Sequence, residues 1–232
     1  MANLRNKQHL FFDLDDTLWD FQKNSAIVLE QLFSEFELRD KLKTDFSSFL
    51  ENYKKVNLAF WSDYYKRKID KQFLRNQRFH ETFKLFNYDN YGENLLITEQ
   101  YLTRAPKGNF LKDNCLEVLD YLKGNYQLHI ITNGFKEIQH IKLDGTGIRK
   151  YFKNIIISEE HDLVKPDEKI FRLAERLVNT SSESCVMIGD SLESDIEGAL
   201  NAGWEAIYLS EKKSQEYTGL MINGLVELRN IF

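Results

Sequence analysis

The chain has 232 residues, enough for one large α/β domain or for a core with a smaller insertion. Its 31 basic and 36 acidic residues give a net charge of −5, so polymeric DNA or RNA finds no electrostatic footprint, although a single nucleotide stays compatible. Cys115 and Cys185 lack CxxC spacing and read as buried free thiols, and no apolar stretch reaches membrane-spanning length.

At the N-terminus, Arg5 and Lys7 are followed only by Leu10-Phe11-Phe12 before acids begin, too little for a signal peptide, so a cytoplasmic monomer or homodimer is expected. Residues 10–18, LFFDLDDTL, form a short apolar strand that breaks into three carboxylates and a threonine. Residues two apart on an extended segment project to one side, which lets Asp13 and Asp15 share a site at the strand's C-terminal end. Carboxylates that close hold their protons unless a cation is near. Mg2+ answers that need, and Mn2+ also accepts oxygen ligands. Once ionised, Asp13 is an oxygen nucleophile suited to phosphorus. The same stretch would also serve as an acidic turn capping the next helix.

Residues 19–104 are charged and aromatic, with no proline and a single glycine, Gly92. Ala26, Leu29, Leu32, Phe33 and Phe36 recur at helical steps, as do Phe46, Phe49, Leu50 and Tyr53, which predicts a compact helical bundle. Ala105-Pro106-Lys107-Gly108 breaks the pattern. The expected organisation is therefore a core of residues 1–18 and 105–232 with a helical domain at 19–104.

After this break a helix is predicted over 111–122, ended by Gly124. Apolar runs at 127–132, 154–158, 184–189 and 205–209 read as buried parallel strands, with helices over 135–143, 168–177 and 194–202 between them. Strand-helix alternation predicts an α/β fold built on a doubly wound parallel sheet of five core strands. Ligands sit at strand carboxyl ends in such sheets. There the sequence places Asp13 and Asp15, then Thr132-Asn133-Gly134, Lys165-Pro166-Asp167, and Gly189-Asp190-Ser191 followed by Asp195.

These residues supply the parts of phosphoryl transfer. Asp13 attacks. Asp15 protonates the leaving oxygen and then activates water. Thr132 offers a hydroxyl, the backbone around Asn133 and Gly134 offers N–H donors, and Lys165 supplies positive charge. Asp190 completes the metal's ligands, with Asp195 reaching it directly or through water. Singly, each piece is also an ordinary strand-end turn, loop lysine or helix cap. Their joint placement at the strand ends carries the chemical reading.

Asp13-Leu14-Asp15-Asp16-Thr17, Thr132-Asn133-Gly134, Lys165-Pro166 and Gly189-Asp190 with Asp195 together resemble the four motifs of the haloacid dehalogenase superfamily. The resemblance implies a Rossmann-like sheet of order 5-4-1-2-3 with residues 19–104 as a cap. It also implies Asp13 as nucleophile, Asp15 as acid/base, and Thr132, Asn133, Gly134 and Lys165 as phosphate binders. Mg2+ would be held by Asp13, the Asp15 backbone carbonyl and Asp190, with Asp195 in support. The dehalogenase branch lacks the second acid, so the presence of Asp15 favours a phosphatase. Thr132-Asn133-Gly134-Phe135, Gln139, Thr146-Gly147-Ile148, Tyr151-Phe152, Ser158-Glu159-Glu160 and Ser191-Leu192-Glu193-Ser194-Asp195 resemble bacterial pyrimidine 5′-nucleotidases acting on non-canonical nucleotides. His161 departs from that pattern, where glycine is expected; it reads as an exposed loop residue or as a modifier of the site's pH response.

In the cap, segment 60–79 is where substrate choice is expected. Trp61 and Tyr65 share one helical face and are placed to stack on a base, while Arg75 and Arg78 share another and are placed to touch ribose or phosphate. The same spacing equally suits core aromatics and a solvated arginine face. The expected partner is a small phosphorylated metabolite, a nucleoside monophosphate foremost. Competing readings are a sugar-phosphate or phosphoglycolate phosphatase, a phosphomutase, or a phospho-accepting signalling or binding protein. The helical insertion directly after Asp15 counts against a signalling receiver.

Overall fold

The computed structural model describes residues 4–211 and 217–232. The chain divides into two compact units, one of Met1–Phe21 with Asn109–Phe232 and one of Gln22–Gly108.

The chain enters through strand β1 (His9–Phe12) and then passes into five helices: α1 (Phe21–Glu35), α2 (Leu38–Leu42), α3 (Phe46–Tyr65), α4 (Lys71–Lys84) and α5 (Tyr91–Arg104). Three begin at polar caps that satisfy an otherwise unpaired N–H: Asp45 accepts from Ser48 N at 2.8 Å, Asp70 from Phe73 N at 2.7 Å, and Asn90 from Glu93 N at 3.2 Å. The apolar stripes meet in one core containing Leu29, Leu32, Phe33, Phe49, Tyr53, Phe79, Phe83 and Ile97. This is the helical insertion expected from the periodicity.

The α/β unit continues with α6 (Cys115–Leu122), β2 (Gln127–Thr132), α7 (Lys136–Gly145), β3 (Phe152–Ile157), α8 (Ser158–His161), α9 (Glu168–Val178), β4 (Cys185–Gly189), α10 (Gly198–Asn201), β5 (Glu205–Leu209), β6 (Met221–Ile222) and α11 (Leu228–Ile231). The sheet is parallel in the order β3-β2-β1-β4-β5-β6, which is the predicted five-strand order with one short strand added at the edge. The β1 side chains alternate across it. Leu10 and Phe12 pack with Leu119, Leu122, Leu143 and Leu228, whereas Phe11 packs with Ile131, Phe171, Met187, Ala199 and Trp204. Burial on both faces explains why the strands read as continuous apolar runs.

Two predicted helices begin elsewhere. The helix expected from residue 111 starts at Cys115, because Leu111 bridges to Trp19 and the Lys112 N–H donates to the Leu18 carbonyl at 2.8 Å. The helix expected at 194–202 opens earlier, as a wide π-type turn over Leu192–Glu197 that runs into α10. Cys115 and Cys185 are buried free thiols, and no helix among the described residues is long and apolar enough to cross a membrane.

Candidate active site

β1 lies between β2 and β4, the position where strand order reverses and a crevice opens at the carboxyl ends. Asp13 continues the ladder one residue beyond β1, its N–H donating to the Ile188 carbonyl at 2.9 Å. The chain then turns sharply. Asp16 takes φ +59°, its N–H meets the Trp19 carbonyl at 2.7 Å, and Leu18 and Trp19 both donate to the Leu14 carbonyl. This fold-back carries Thr17 to Asp190, where its hydroxyl donates to Oδ1 at 3.0 Å.

Lys165 is the hub. Its side chain is 1% exposed, and Nζ donates to Asp13 Oδ1 at 2.6 Å, Asp195 Oδ1 at 2.5 Å and the Ile131 carbonyl at 2.8 Å, using all three ammonium protons. Asn133 fixes the loop that delivers it. Its Nδ2 donates to the Lys165 carbonyl at 2.9 Å, and its Oδ1 accepts from the Lys165 N–H at 2.9 Å and from the Ser158 hydroxyl at 2.6 Å. The Asn133 side chain is thus committed to holding the loop, and the phosphate contact expected of this segment falls to its backbone.

Asp195 is reached through the wide turn after β4, where its Oδ2 accepts from Ser191 N at 3.0 Å. Its carboxylate packs so closely on Gly189 that a Cβ there would collide with it. Asp13, Asp190 and Asp195 each bring a carboxylate oxygen within 4.8 Å of the others. Burial drives the Asp13 pKa well above the ordinary range. Lys165 opposes that, but the charges of Asp195, Asp190 and Asp15 add to it. Burial, then Asp195 and Asp16, push Asp190 up to about 7. Burial alone would lower the Lys165 pKa, yet Asp13 and Asp195 hold it above the ordinary lysine value. A cluster that retains protons because too many carboxylates face one another is suited to a hard divalent cation, and an all-oxygen donor set fits Mg2+.

Asp15 points to α7. Its Oδ1 accepts from Lys142 Nζ at 2.5 Å and its Oδ2 from Gln139 Nε2 at 2.9 Å. Gln139 Nε2 also reaches the Thr132 hydroxyl at 2.6 Å, which accepts in addition from Gly134 N at 3.3 Å. The Gly134 N–H, expected as a phosphate donor, is used inside its own loop. The Thr132 oxygen accepts twice, and its single O–H proton is the remaining donor capacity of that group.

The structure therefore brings Asp13, Lys165, Asp190 and Asp195 into one cluster, with Asp15 and Thr132 linked through Gln139. Trp61, Tyr65, Arg75 and Arg78 belong to the helical unit. Trp61 and Tyr65 are half-buried with ring centroids 5.4 Å apart. Arg78 is 4% exposed, so it is not on a solvated face: its Nη1 donates to Asn57 Oδ1 at 3.1 Å and its guanidinium lies 4.9 Å from the Tyr101 ring centroid. His161 is exposed at the end of α8. Thr17, Gln139 and Lys142 were not singled out for any role from the residues themselves. Gln139 stood among the residues of the nucleotidase resemblance without a role, and for Lys142 the available signal was its three-residue spacing from Gln139 on a helix that follows a strand-end threonine.

The haloacid dehalogenase-like hydrolase family matches residues 7–203. Pyrimidine 5′-nucleotidase PynA from Streptococcus pneumoniae is 34% identical over 90% of this chain and 86% of its own length. Pyrimidine 5′-nucleotidase YjjG from Escherichia coli is 31% identical over 91% of this chain and 89% of its own. The crystal structure of the HAD-hydrolase YfnB from Bacillus subtilis, bound to magnesium, superposes with a TM-score of 0.87 at 29% identity, covering 97% of this chain and 98% of that one.

Proposed function

The chain belongs to the haloacid dehalogenase-like hydrolases, and from that premise we propose that it is a Mg2+-dependent phosphomonoesterase acting through an aspartyl phosphate, with pyrimidine nucleoside 5′-monophosphates as substrates. One observation carries the mechanism: Asp13 stands at the end of the central strand with one oxygen tied to a buried lysine, 2.6 Å away, among further carboxylates. A lone loop acid acting as a helix cap has no use for that environment.

Asp13 attacks phosphorus through a carboxylate oxygen. The bond from phosphorus to the ester oxygen breaks with its electron pair, and Asp15 gives that oxygen a proton. Asp15 then takes a proton from water as the water oxygen attacks phosphorus and the Asp13–phosphorus bond breaks. Lys165 holds Asp13 in place and adds a fixed positive charge beside the incoming phosphoryl group, and Thr132 donates to a phosphoryl oxygen. Asp13, Asp190, Asp195 and the Asp15 carbonyl would hold Mg2+, which neutralises charge on the phosphoryl oxygens when bound. The helical unit acts as the cap that selects the leaving group, with Trp61, Tyr65 and Arg75 as the residues to vary first. Arg78 braces α4 against Asn57 and Tyr101. The nucleotide preference is supported by two nucleotidases at 34% and 31% identity.

The test is phosphate release with Mg2+ from a panel of nucleoside monophosphates and sugar phosphates, with Asp13→Asn beside the wild type. Release from pyrimidine monophosphates that vanishes in the variant is the expected result. Release mainly from sugar phosphates overturns the substrate, and equal release by the variant overturns the nucleophile.

A further inference from the structure

Building on the reading of Asp15 as the proton carrier, we propose that Lys142 and Gln139 are positioning residues for its carboxylate, and that protonation of the leaving oxygen depends on them. Lysine is rarely buried without a purpose, yet Lys142 is 4% exposed and Gln139 is fully buried. Three residues apart on α7, both face the loop that follows β1.

The Lys142 ammonium lies 4.4 Å from the Trp19 ring centroid and 5.9 Å from that of Phe21, with Asp15 Oδ1 at 2.5 Å. Aromatic faces on one side and a carboxylate on the other confine the charge to one place. Gln139 secures the second oxygen at 2.9 Å and ties the same amide nitrogen to Thr132 at 2.6 Å. The orientation of that amide follows from chemistry, because the reverse would set its carbonyl oxygen against the Asp15 carboxylate. In the orientation adopted, Gln139 Oε1 is buried with no hydrogen-bond partner among the described residues. Leaving an acceptor unsatisfied costs stability, and the arrangement is kept where both Asp15 oxygens gain donors. Gly134 makes the approach possible, since a Cβ there would strike the Gln139 amide.

Asp15 has a short side chain on a loop and is 30% exposed, so without donors its carboxylate samples several rotamers. Held at both oxygens, it keeps one direction relative to Asp13 and Thr132. The consequence depends on the ester. An alkoxide needs a proton as it leaves, whereas p-nitrophenolate departs without one. Attack by Asp13 is common to both.

The experiment measures kcat/KM, which reports the first irreversible step, for the best alkyl phosphate of the panel and for p-nitrophenyl phosphate. Wild type, Lys142→Met, Gln139→Met and Asp15→Asn are compared, with urea unfolding of each to establish folding. General acid catalysis is worth about 10²–10⁴-fold, so Lys142→Met is expected to lose about 100-fold on the alkyl ester and under about 10-fold on the aryl ester. Gln139→Met shifts the ratio in the same direction by less, and it decides the matter if Lys142→Met does not fold. Equal losses on both esters, or none, alongside a shifted ratio in Asp15→Asn, would overturn the positioning role and leave Asp15 as the acid. An unshifted ratio in Asp15→Asn would overturn the acid role of Asp15 and the positioning role with it.

Discussion

Asp190→Asn tests whether the acid cluster is built around a cation. Burial, Asp195 and Asp16 raise the Asp190 carboxyl from 3.8 to about 7. An acid whose folded pKa exceeds its unfolded value binds more protons in the folded state, so it loses stability as pH rises through that interval. A gap of about three units corresponds to roughly 4 kcal/mol above pH 7 in the absence of a divalent ion, falling to under about 1 kcal/mol near pH 4. Asparagine keeps the shape and an oxygen for the Thr17 hydroxyl, which donates to Asp190 at 3.0 Å, while removing the charge. In chelator at pH 8 the variant should therefore be more stable than wild type by a few kcal/mol, and near pH 4 the advantage should nearly vanish. Mg2+ narrows the gap. At a hundredfold excess over Kd, wild type gains about 2.7 kcal/mol, and the variant, short of one ligand, gains far less. Urea unfolding at the two pH values, with chelator and with Mg2+, measures all four terms. A variant less stable than wild type in chelator at pH 8, or an advantage equal at both pH values, would refute the reasoning.

Lys165→Met strips the ammonium from Asp13 and Asp195 and should abolish turnover while costing about 3–5 kcal/mol in chelator, read from urea midpoints. Gly189→Ala pushes a methyl group into the Asp195 carboxylate and should destabilise by about 1–3 kcal/mol, with weaker Mg2+ stabilisation than wild type in the same assay. His129, held near pKa 3 by burial, then by His9 and Lys153, stays neutral in the fold while the unfolded chain takes up a proton below pH 6.5. Stability should accordingly fall with acidification from that pH towards 3, by up to about 1.4 kcal/mol per unit, and His129→Gln should flatten the slope of midpoint against pH.

The strands were legible because their side chains are buried on both faces, which writes the sheet into the sequence as apolar runs. The acids were legible for a related reason. Asp13 and Asp190 stand one residue beyond those runs and Thr132 ends one, so finding the strands located all three. The sixth strand, Met221–Ile222, is two residues long and carries no periodicity to detect. The early start of the helix after β4 was hidden because a π-type turn has no sequence signature. That turn puts Asp195 within reach of both Lys165 and the Ser191 N–H. Lys142 was hidden by its own chemistry. A lysine on an amphipathic helix reads as solvated, and only the fold shows Trp19 and Asp15 closing around it.

Those two lysines explain how so many acids share one crevice. Lys165 offsets Asp13 and Asp195 only in part, and Lys142 pairs with Asp15. Four carboxylates facing two ammoniums leave two negative charges when all are ionised, and proton retention by Asp13 and Asp190 is the response of the cluster to that surplus. In the proposed mechanism the carboxylates of this cluster would hold a divalent cation, whose charge would offset the surplus and favour the ionised form of Asp13. A phosphate ester, on that mechanism, would bring its negative charge to a site so neutralised, beside Lys165, which three hydrogen bonds hold against Asp13, Asp195 and the Ile131 carbonyl. On the proposed mechanism, the positive charge beside the phosphoryl group is therefore positioned before the substrate arrives.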